Sequence, residues 1–396
     1  MLGSGRESAR SRPDDVAQPA SVPEATAETR SVRQLSYQWT AGPAMPLLSL
    51  AAALVIGALV VVASGKDPLQ AYLALLNGAV GGGTPQQAAY NTSETIISAI
   101  PLIFAGISVA VAYRTGLFNI GAEGQLLVGA LATGWFAVQF AGLPGIVLAP
   151  ATIAFAALAG GVYGAIPGLL KAWRGAHEVI TTIMLNYVAI FLMHWLLQGG
   201  PLTAPNAFGQ PASAKIGDGA ILPVILPSSL VPLSRLHAGL LVAIAGIVVF
   251  WFLMWKTSLG YELRAVGFSP RAAQQAGIDP KRRMVTVMAI AGGFAGIGGA
   301  VQIMGVLFRV YDGFSPGYGF DAIAVALLGK NSPVGILLAA LLFGAFGHGG
   351  ALMQSNAQVS AQLVSVVEAL VLFLVAAEVV TRVVASRRRS ARPAPA

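Results

Sequence analysis

Cysteine is absent from the 396-residue chain, histidine occurs only four times, and charged residues make up just 10% of the sequence. Without cysteine the chain can have no thiol catalysis, no disulfides and no cysteine-based zinc or iron–sulfur site. The four histidines are scattered, with no two of them three or four residues apart, so they predict no metal site. A soluble domain carries about 25% charged residues. This shortage of charge, with a mean hydropathy of +0.72, indicates a chain that lies largely in lipid.

Long apolar runs fill the places where charge is missing. A membrane-spanning helix needs about 20 largely apolar residues. The sequence offers nine such runs, at 45–64, 95–113, 122–141, 145–170, 178–198, 237–255, 284–305, 334–352 and 360–381. A tenth run, 319–330, is too short to cross, and we expect a half-helix buried in protein or lining a cavity. The predicted fold class is an all-α, polytopic membrane helix bundle of about ten transmembrane helices.

The positions of the cations predict the orientation of this bundle. Cytoplasmic segments of membrane proteins are enriched in Lys and Arg. If the amino terminus is cytoplasmic and each run crosses once, 20 of the 24 cations lie inside. We therefore predict a multi-pass protein of the cell membrane with both termini in the cytoplasm. The predicted organisation is a disordered tail at 1–44, a transmembrane domain at 45–382 and a basic tail at 383–396.

Several signatures of soluble proteins are matched only superficially. The net charge of +8 comes from cation clusters without interleaved aromatic residues, so we predict no nucleic-acid partner. Gly313–Gly317 matches the G-x-S-x-G motif of hydrolases, but an apolar run precedes it where that motif needs a strand. The glycines at 292–299 lie within an apolar run and favour close helix packing. The chain has no Walker A loop and no convincing catalytic constellation, so it is not predicted to be an enzyme.

Residues 199–236, which we name the proline-rich loop, contain six prolines. Proline fixes φ and lacks a backbone donor, which forbids a long helix or a central strand. By the cation count this loop lies outside the cell and is expected to form an extracytoplasmic cap.

Residues 256–283, cytoplasmic by the same count, carry the end signals of a short helix. Ser269 suits the N-cap, Pro270 the first helical position and Gly277 the position after the helix ends. We predict a helix of about two turns between two membrane spans, with small alanines that fit a groove. An ordinary solvated loop is the alternative.

Residues 115–125, where one apolar run ends and the next begins, contain several polar side chains. Glu123 falls in the first turn of a predicted helix, where the helix dipole favours an anion. It is either a capping carboxylate at the interface or, with Asn119 and Gln125, part of a solute path. These side chains could instead hold a broken helix in shape.

Asn186 and Asp321 are polar residues at membrane depth. Asn186 lies about nine residues, roughly 13 Å, into its helix and either joins helices or contacts a solute. Asp321, early in the half-helix, is a functional candidate because ionisable groups are costly in a membrane. A glycine-rich turn precedes both Glu123 and Asp321, from opposite sides of the bundle. This pattern predicts an inverted repeat of helices two to five against helices seven to ten.

Three segments carry a family resemblance: Thr115–Gln125, His177–Tyr187 and residues 260–278. The chain resembles the membrane permease of an ATP-binding-cassette (ABC) importer, in the family that serves simple sugars, nucleosides and branched-chain amino acids. The first two segments are most similar to its nucleoside branch, which is associated with basic membrane lipoproteins. The resemblance spans about residues 45–382 and implies a permease domain that forms the path of a small neutral polar solute, a nucleoside above all.

The resemblance also implies partners and site residues. It implies a second permease subunit in a heterodimer, ATPase subunits that hold ATP and magnesium, and an extracytoplasmic solute-binding lipoprotein, with no cofactor on this chain. It places the ATPase-coupling role on Gly260, Arg264, Gly267, Ser269, Pro270, Arg271 and Gly277. The candidate residues of the solute path are Asn119, Glu123, Gln125, Asn186 and Asp321. If Gly267 has a positive φ, a β-branched residue there would distort the approach to the short helix.

Other functions stay open at this stage. The same family could supply a permease for simple sugars or branched-chain amino acids. An ion-coupled secondary transporter should show several paired charges within the membrane, and only Glu123 and Asp321 qualify. A membrane-embedded enzyme is the third class.

Overall fold

The computed structural model describes residues 44–204, 209–227, 231, 233–360, 363–366, 369–370 and 373, with side chains from residue 51 onward. The described residues from Leu48 onward form one compact unit. The predicted tails, apart from residue 44, and most of the predicted span 360–381 lie outside the described residues.

The described structure is helical. Its α-helices, in chain order, are α1 (Ala44–Ala63), α2 (Pro68–Ala79), α3 (Pro85–Arg114), α4 (Ala122–Gln139), α5 (Gly145–Arg174), α6 (Glu178–Leu197), α7 (Gly239–Lys256), α8 (Ser258–Phe268), α9 (Pro270–Gln275), α10 (Pro280–Gln302), α11 (Tyr318–Leu328) and α12 (Pro333–Ala357). A 3₁₀ turn at Asp218–Ala220 and a π turn at Ile303–Leu307 are added to these. Among the described residues there are two isolated β-bridges and no β-strand.

Six of these elements are long and apolar enough to cross a membrane: α3, α5, α6, α7, α10 with its π turn, and α12. This confirms the prediction of an all-α, multi-pass membrane protein. The short apolar helix α11 confirms the half-helix predicted at 319–330.

The largest differences from the predicted helix starts lie at three places. Helix α3 begins at Pro85, ten residues before the predicted start, and Thr84 caps it by accepting a hydrogen bond from the backbone N–H of Gln87 (3.2 Å). Helices α2 and α8 lie where no helix is predicted, and they begin at the capping side chains of Asp67 and Thr257. Hydropathy does not detect these starts, because a cap depends on one local hydrogen bond.

Helix α3 lies at the centre of the bundle. In its most apolar stretch 89% of the residues are buried, as expected of a helix that is hydrophobic on every side. Helices α5, α6 and α7 instead expose large apolar side chains, among them Val162, Phe191 and Phe252. These three helices therefore face lipid or another subunit.

A glycine seam joins α5 and α10. Gly160 and Gly164 of α5 face Gly292 and Gly296 of α10, and a Cβ on Gly160 or Gly292 would overlap the opposite backbone. Helix α4 joins the seam at Gly129, where a Cβ would overlap the backbone of Gly296. Small residues allow such close approach between helices in a membrane. The packing role predicted for the glycine-rich run is confirmed.

The proline-rich loop has no regular element longer than one 3₁₀ turn in its described part, as predicted. The backbone N–H of Leu222 donates to the carbonyl oxygen of Met304 in the π turn (3.0 Å). Near the end of the loop, Arg235 forms an ion pair with two hydrogen bonds to buried Glu94 of α3. The loop is thus fixed to two helices far from it in sequence.

Candidate functional site

Helices α4 and α11 begin inside the bundle, with their amino termini in contact. The carboxylate of Glu123, in the first turn of α4, accepts a hydrogen bond from the backbone N–H of Gly319 in α11 (2.6 Å). Both residues are buried. A Cβ on Gly319 would overlap the backbone of Glu123, so the contact requires glycine. We name Glu123, Gly319 and Asp321 the helix junction.

Helix α11 separates the helix junction from the turn at Asn331. Helix α11 has 11 residues, which span about 16 Å at 1.5 Å per residue. Its far end leads to Asn331, whose carbonyl oxygen accepts a hydrogen bond from Arg114 at the end of α3 (2.8 Å). A distance of about 16 Å is half of the roughly 30 Å hydrocarbon core.

The helix junction brings opposite charges together. Each helix amino terminus carries roughly half a positive elementary charge, and the carboxylates of Glu123 and Asp321 lie in these first turns. Just before α11, Ser315 Oγ accepts hydrogen bonds from the backbone N–H groups of Gly317 (3.2 Å) and Tyr318 (3.3 Å). The carboxylate of Asp321 is partly exposed and has no hydrogen bond to another described residue. Of the two acids at the helix junction, Asp321 is therefore the one that is not fully buried.

Asn119 and Gln125 form a closed pair of amides beside the junction. Asn119 Nδ2 donates to Gln125 Oε1 (2.9 Å), and Gln125 Nε2 donates back to Asn119 Oδ1 (3.1 Å). Asn119 also donates to Ser108 of α3 (3.0 Å) and accepts from the backbone N–H of Gly121 (3.0 Å). Both amides are at most 1% exposed. These contacts favour the hypothesis that they hold the broken helix in shape.

Asn186 of α6 binds the same turn from the other side. Its Oδ1 accepts from the backbone N–H of Gly124 (2.8 Å), and its Nδ2 donates to the carbonyl oxygen of Ile120 (2.8 Å). The residue is 1% exposed. Because this buried amide has hydrogen bonds at both its oxygen and its nitrogen, the contacts favour the predicted role of joining helices over the role of contacting a solute.

Replacing Asn186 with leucine is expected to lower the stability of the bundle. The change leaves a backbone N–H and a carbonyl group unpaired in the interior, at about 1–3 kcal/mol for each group. Thermal unfolding of the purified protein in detergent measures the loss. Asn356→Leu, at an exposed position near the end of α12, is the matched control. Equal melting temperatures for the two variants would contradict the positioning role of Asn186.

The short helix predicted in 256–283 is confirmed as α9. Ser269 caps it by accepting a hydrogen bond from the backbone N–H of Ala272 (3.3 Å), and Pro270 is its first residue. Gly277 follows the helix with a φ of +81°, which favours glycine. Arg271 on this helix is exposed and accessible to a partner.

Helix α8 precedes α9 and corrects one premise of the prediction. Gly267 lies within α8 and has no positive φ. Glycine is required there because a Cβ would overlap the carbonyl oxygen of Arg114 at the end of α3. Glycine is likewise required at position 260, because a Cβ on Gly260 would overlap the carbonyl oxygen of Leu253. One nitrogen of Arg264 is buried without a hydrogen-bond partner among the described residues.

The structure separates the predicted site residues into two groups. The candidate path residues converge on the amino termini of α4 and α11. The candidate coupling residues lie on α8 and α9, between them, or directly after α9. Sequence reasoning missed Ser108, Ser315 and Arg114, which contact these groups from distant segments. Within the described ranges, no group of three or more His, Asp or Glu side chains could hold a metal ion.

Comparison with known proteins agrees with this architecture. Residues 91–385 match the family model described as branched-chain amino acid transport system / permease component. A guanosine ABC transporter permease protein of Bacillus subtilis is 40% identical, over 86% of this chain and 94% of the relative. A glucose ABC transporter permease protein of Haloferax volcanii is also 40% identical, over 84% and 87%. A nucleoside ABC transporter permease protein of Lactococcus lactis is 36% identical, over 87% and 94%.

These matches cover most of the chain and of each relative, and the family match at 91–385 includes both α4 and α11. They confirm the resemblance stated from the three sequence segments. The chain belongs to the branched-chain amino acid transport system permease family and is a membrane permease of the ABC importer type.

Proposed function

We propose that this permease carries nucleosides across the cell membrane, past the helix junction. The observation that supports the path is the partly exposed carboxylate of Asp321 beside two helix amino termini inside the bundle. Carboxylates accept hydrogen bonds from the neighbouring hydroxyls of a ribose. Two of the three relatives carry guanosine or nucleoside in their names, which supports this solute class. Glucose is the second candidate, since the Haloferax glucose permease is as similar as the guanosine permease.

Uptake of labelled solutes by the complete importer tests this proposal. We expect saturable uptake of labelled nucleosides that excess glucose does not compete away. We also expect Asp321→Asn to reduce uptake at least tenfold without reducing recovery of the complex. Asp218→Asn, in an exposed part of the proline-rich loop, is the matched control. Nucleoside uptake at the wild-type level in Asp321→Asn would remove this residue from the path.

The five path residues then have different roles. Asp321 contacts the solute, and Glu123 holds the two amino termini together through Gly319. The amides of Asn119, Gln125 and Asn186 hold the turn before α4, so that α4 begins inside the bundle. The path suits a neutral polar compound, because amides outnumber charged groups among its five candidate residues.

The proposed membrane fold has ten helices. Besides the six long apolar elements, it includes α1, α4 and the half-helix α11. The tenth is the span predicted from the apolar run 360–381, most of which lies outside the described residues. The inverted repeat is supported by α3–α4 and α10–α11, which both break and restart with an amino terminus at the helix junction. Both termini and α9 are cytoplasmic in this proposal, and the proline-rich loop is extracytoplasmic.

Cysteine labelling tests this orientation in a chain that has no cysteine of its own. Lys215→Cys in the proline-rich loop is expected to react with an impermeant thiol reagent on intact cells. Gln274→Cys on α9 is expected to react only after the cells are opened. Both positions are exposed. The reverse pattern would invert the proposed topology.

The proposed partners follow from the same orientation. Helix α9 has a defined start, a defined end and an exposed alanine, Ala272, which suits docking in a groove of an ATPase subunit that holds ATP and magnesium. The exposed apolar faces of α5–α7 suit lipid and a second permease subunit in a heterodimer. The proline-rich loop suits an extracytoplasmic solute-binding lipoprotein.

A further inference from the structure

Arg114, the last residue of α3, contacts three separate parts of the chain. Its Nε donates a hydrogen bond to the carbonyl oxygen of Asn331, in the turn between α11 and α12 (2.8 Å). Its guanidinium lies over the ring of Trp255 in α7, 4.4 Å from the ring centroid. Its own carbonyl oxygen lies against Gly267 of α8, so closely that a Cβ there would overlap it. Arg114 therefore links α7 and α8 to the end of α11.

The turn held by Arg114 has a strained backbone. Lys330 and Asn331 follow each other with φ values of +52° and +51°. Non-glycine residues rarely adopt this conformation, and it persists only where the surroundings impose it. The backbone N–H of Asn331 donates to the carbonyl oxygen of Ala326 (2.8 Å), which joins the turn to the last turn of α11. A displacement of the Asn331 carbonyl would therefore move α11 as well.

Helix α11 is short, and its two ends have different contacts. One end is the turn bound by Arg114, and the other is Gly319 at the helix junction. A helix of 11 residues moves as a rigid rod, because its backbone hydrogen bonds resist bending. Movement imposed at the turn is therefore expected at Gly319 and Asp321 too.

We propose that Arg114 is a positioning residue that transmits displacement of α8 and α9 to α11, and so to the helix junction. This inference rests on the proposed function, in which an ATPase moves α9 and the solute passes Asp321. Arginine suits the role because its planar guanidinium can stack on an aromatic ring and donate a directed hydrogen bond at once. Lysine offers a point charge without the planar fork.

A nearby cation supplies the control. Lys256 at the end of α7 lies over Trp251, 5.4 Å from the ring centroid. No hydrogen bond to the α11–α12 turn is present for Lys256 among the described residues. Lys256→Gln thus removes a similar cation–aromatic contact without cutting the link to α11.

The first test measures ATP hydrolysis and solute uptake by the purified complex in proteoliposomes. For Arg114→Gln we expect intact assembly, basal hydrolysis within twofold of wild type, and at least a tenfold loss of solute taken up per ATP. The uptake per ATP of Arg114→Lys is expected to lie between those of wild type and Arg114→Gln. Lys256→Gln is expected to match wild type. A wild-type ratio of uptake to hydrolysis in Arg114→Gln would overturn the proposal.

The second test reports movement and needs no transported solute. Spin labels at Gln274→Cys on α9 and Phe320→Cys on α11, both exposed positions, are observed with and without ATP. With Arg114 present, we expect ATP to change the spectra of both labels. With Arg114→Gln, we expect a change at 274 alone. A change of the same size at 320 would overturn the inference, whereas failed nucleoside uptake with both labels responding would count only against the proposed solute.

Discussion

Replacement of Gly319 by valine is expected to reduce uptake to background. A Cβ at this position would overlap the backbone of Ala122 and Glu123, so the amino termini of α4 and α11 would have to separate. Separation breaks the hydrogen bond from Gly319 to Glu123, which leaves a buried carboxylate without its backbone partner. Solute uptake and recovery of the assembled complex, measured side by side, check this result.

Gly347→Val is the matched control for that experiment. Gly347 also lies in a helix, α12, and a Cβ built on it has open space around it. We expect this variant to retain uptake within about twofold. Gly319→Ala, with a smaller overlap, is expected to assemble more readily than the valine variant and still lose most uptake. Normal uptake by Gly319→Ala would show that the two amino termini need not touch.

Gly267→Val is expected to separate ATP hydrolysis from uptake. The added side chain would overlap the carbonyl oxygen of Arg114 and the backbone of Thr115, so α8 would move away from the end of α3. The transmembrane core lies on the other side of this contact and should still assemble. We expect basal ATP hydrolysis to continue, while solute-stimulated hydrolysis and uptake both fall at least tenfold, all measured on the reconstituted complex.

The control for Gly267→Val is Gly142→Val, at a glycine with no atom within 4 Å of the added Cβ and no positive φ. It is expected to leave both activities unchanged. Full uptake and stimulated hydrolysis in Gly267→Val would mean that α8 does not carry the signal from the ATPase. The signal from an ATPase docked on α9 would then have to reach the membrane helices through another contact.

Local signals allowed two unusual elements to be predicted from sequence. The half-helix was predictable because its apolar run is short and bounded by glycine, and α11 starts one residue before the predicted range. Helix α9 was predictable because Ser269, Pro270 and Gly277 each act within their own turn. Where the determinant of a structure lies within a few residues, its sequence pattern is sufficient.

The roles of other residues depend on partners that are distant in sequence. Asn186 binds Gly124, 62 residues away, and Glu123 binds Gly319, 196 residues away. The sequence could therefore identify these polar groups but left their roles open. The same cause explains the error at Gly267, where glycine is required by the neighbouring end of α3 and not by its own φ.

The contacts of the proline-rich loop impose an order on synthesis of the protein. Ser213 Oγ accepts a hydrogen bond from the backbone N–H of Val310 (2.9 Å), a partner that is 97 residues later in the chain. A ribosome adds about 5–20 residues per second, so the loop waits roughly 5–20 s for that partner to be made. Its six prolines disfavour helix and strand formation during the wait. The proline-rich loop can thus stay without helix or strand until α10 has been inserted and Val310 has been made.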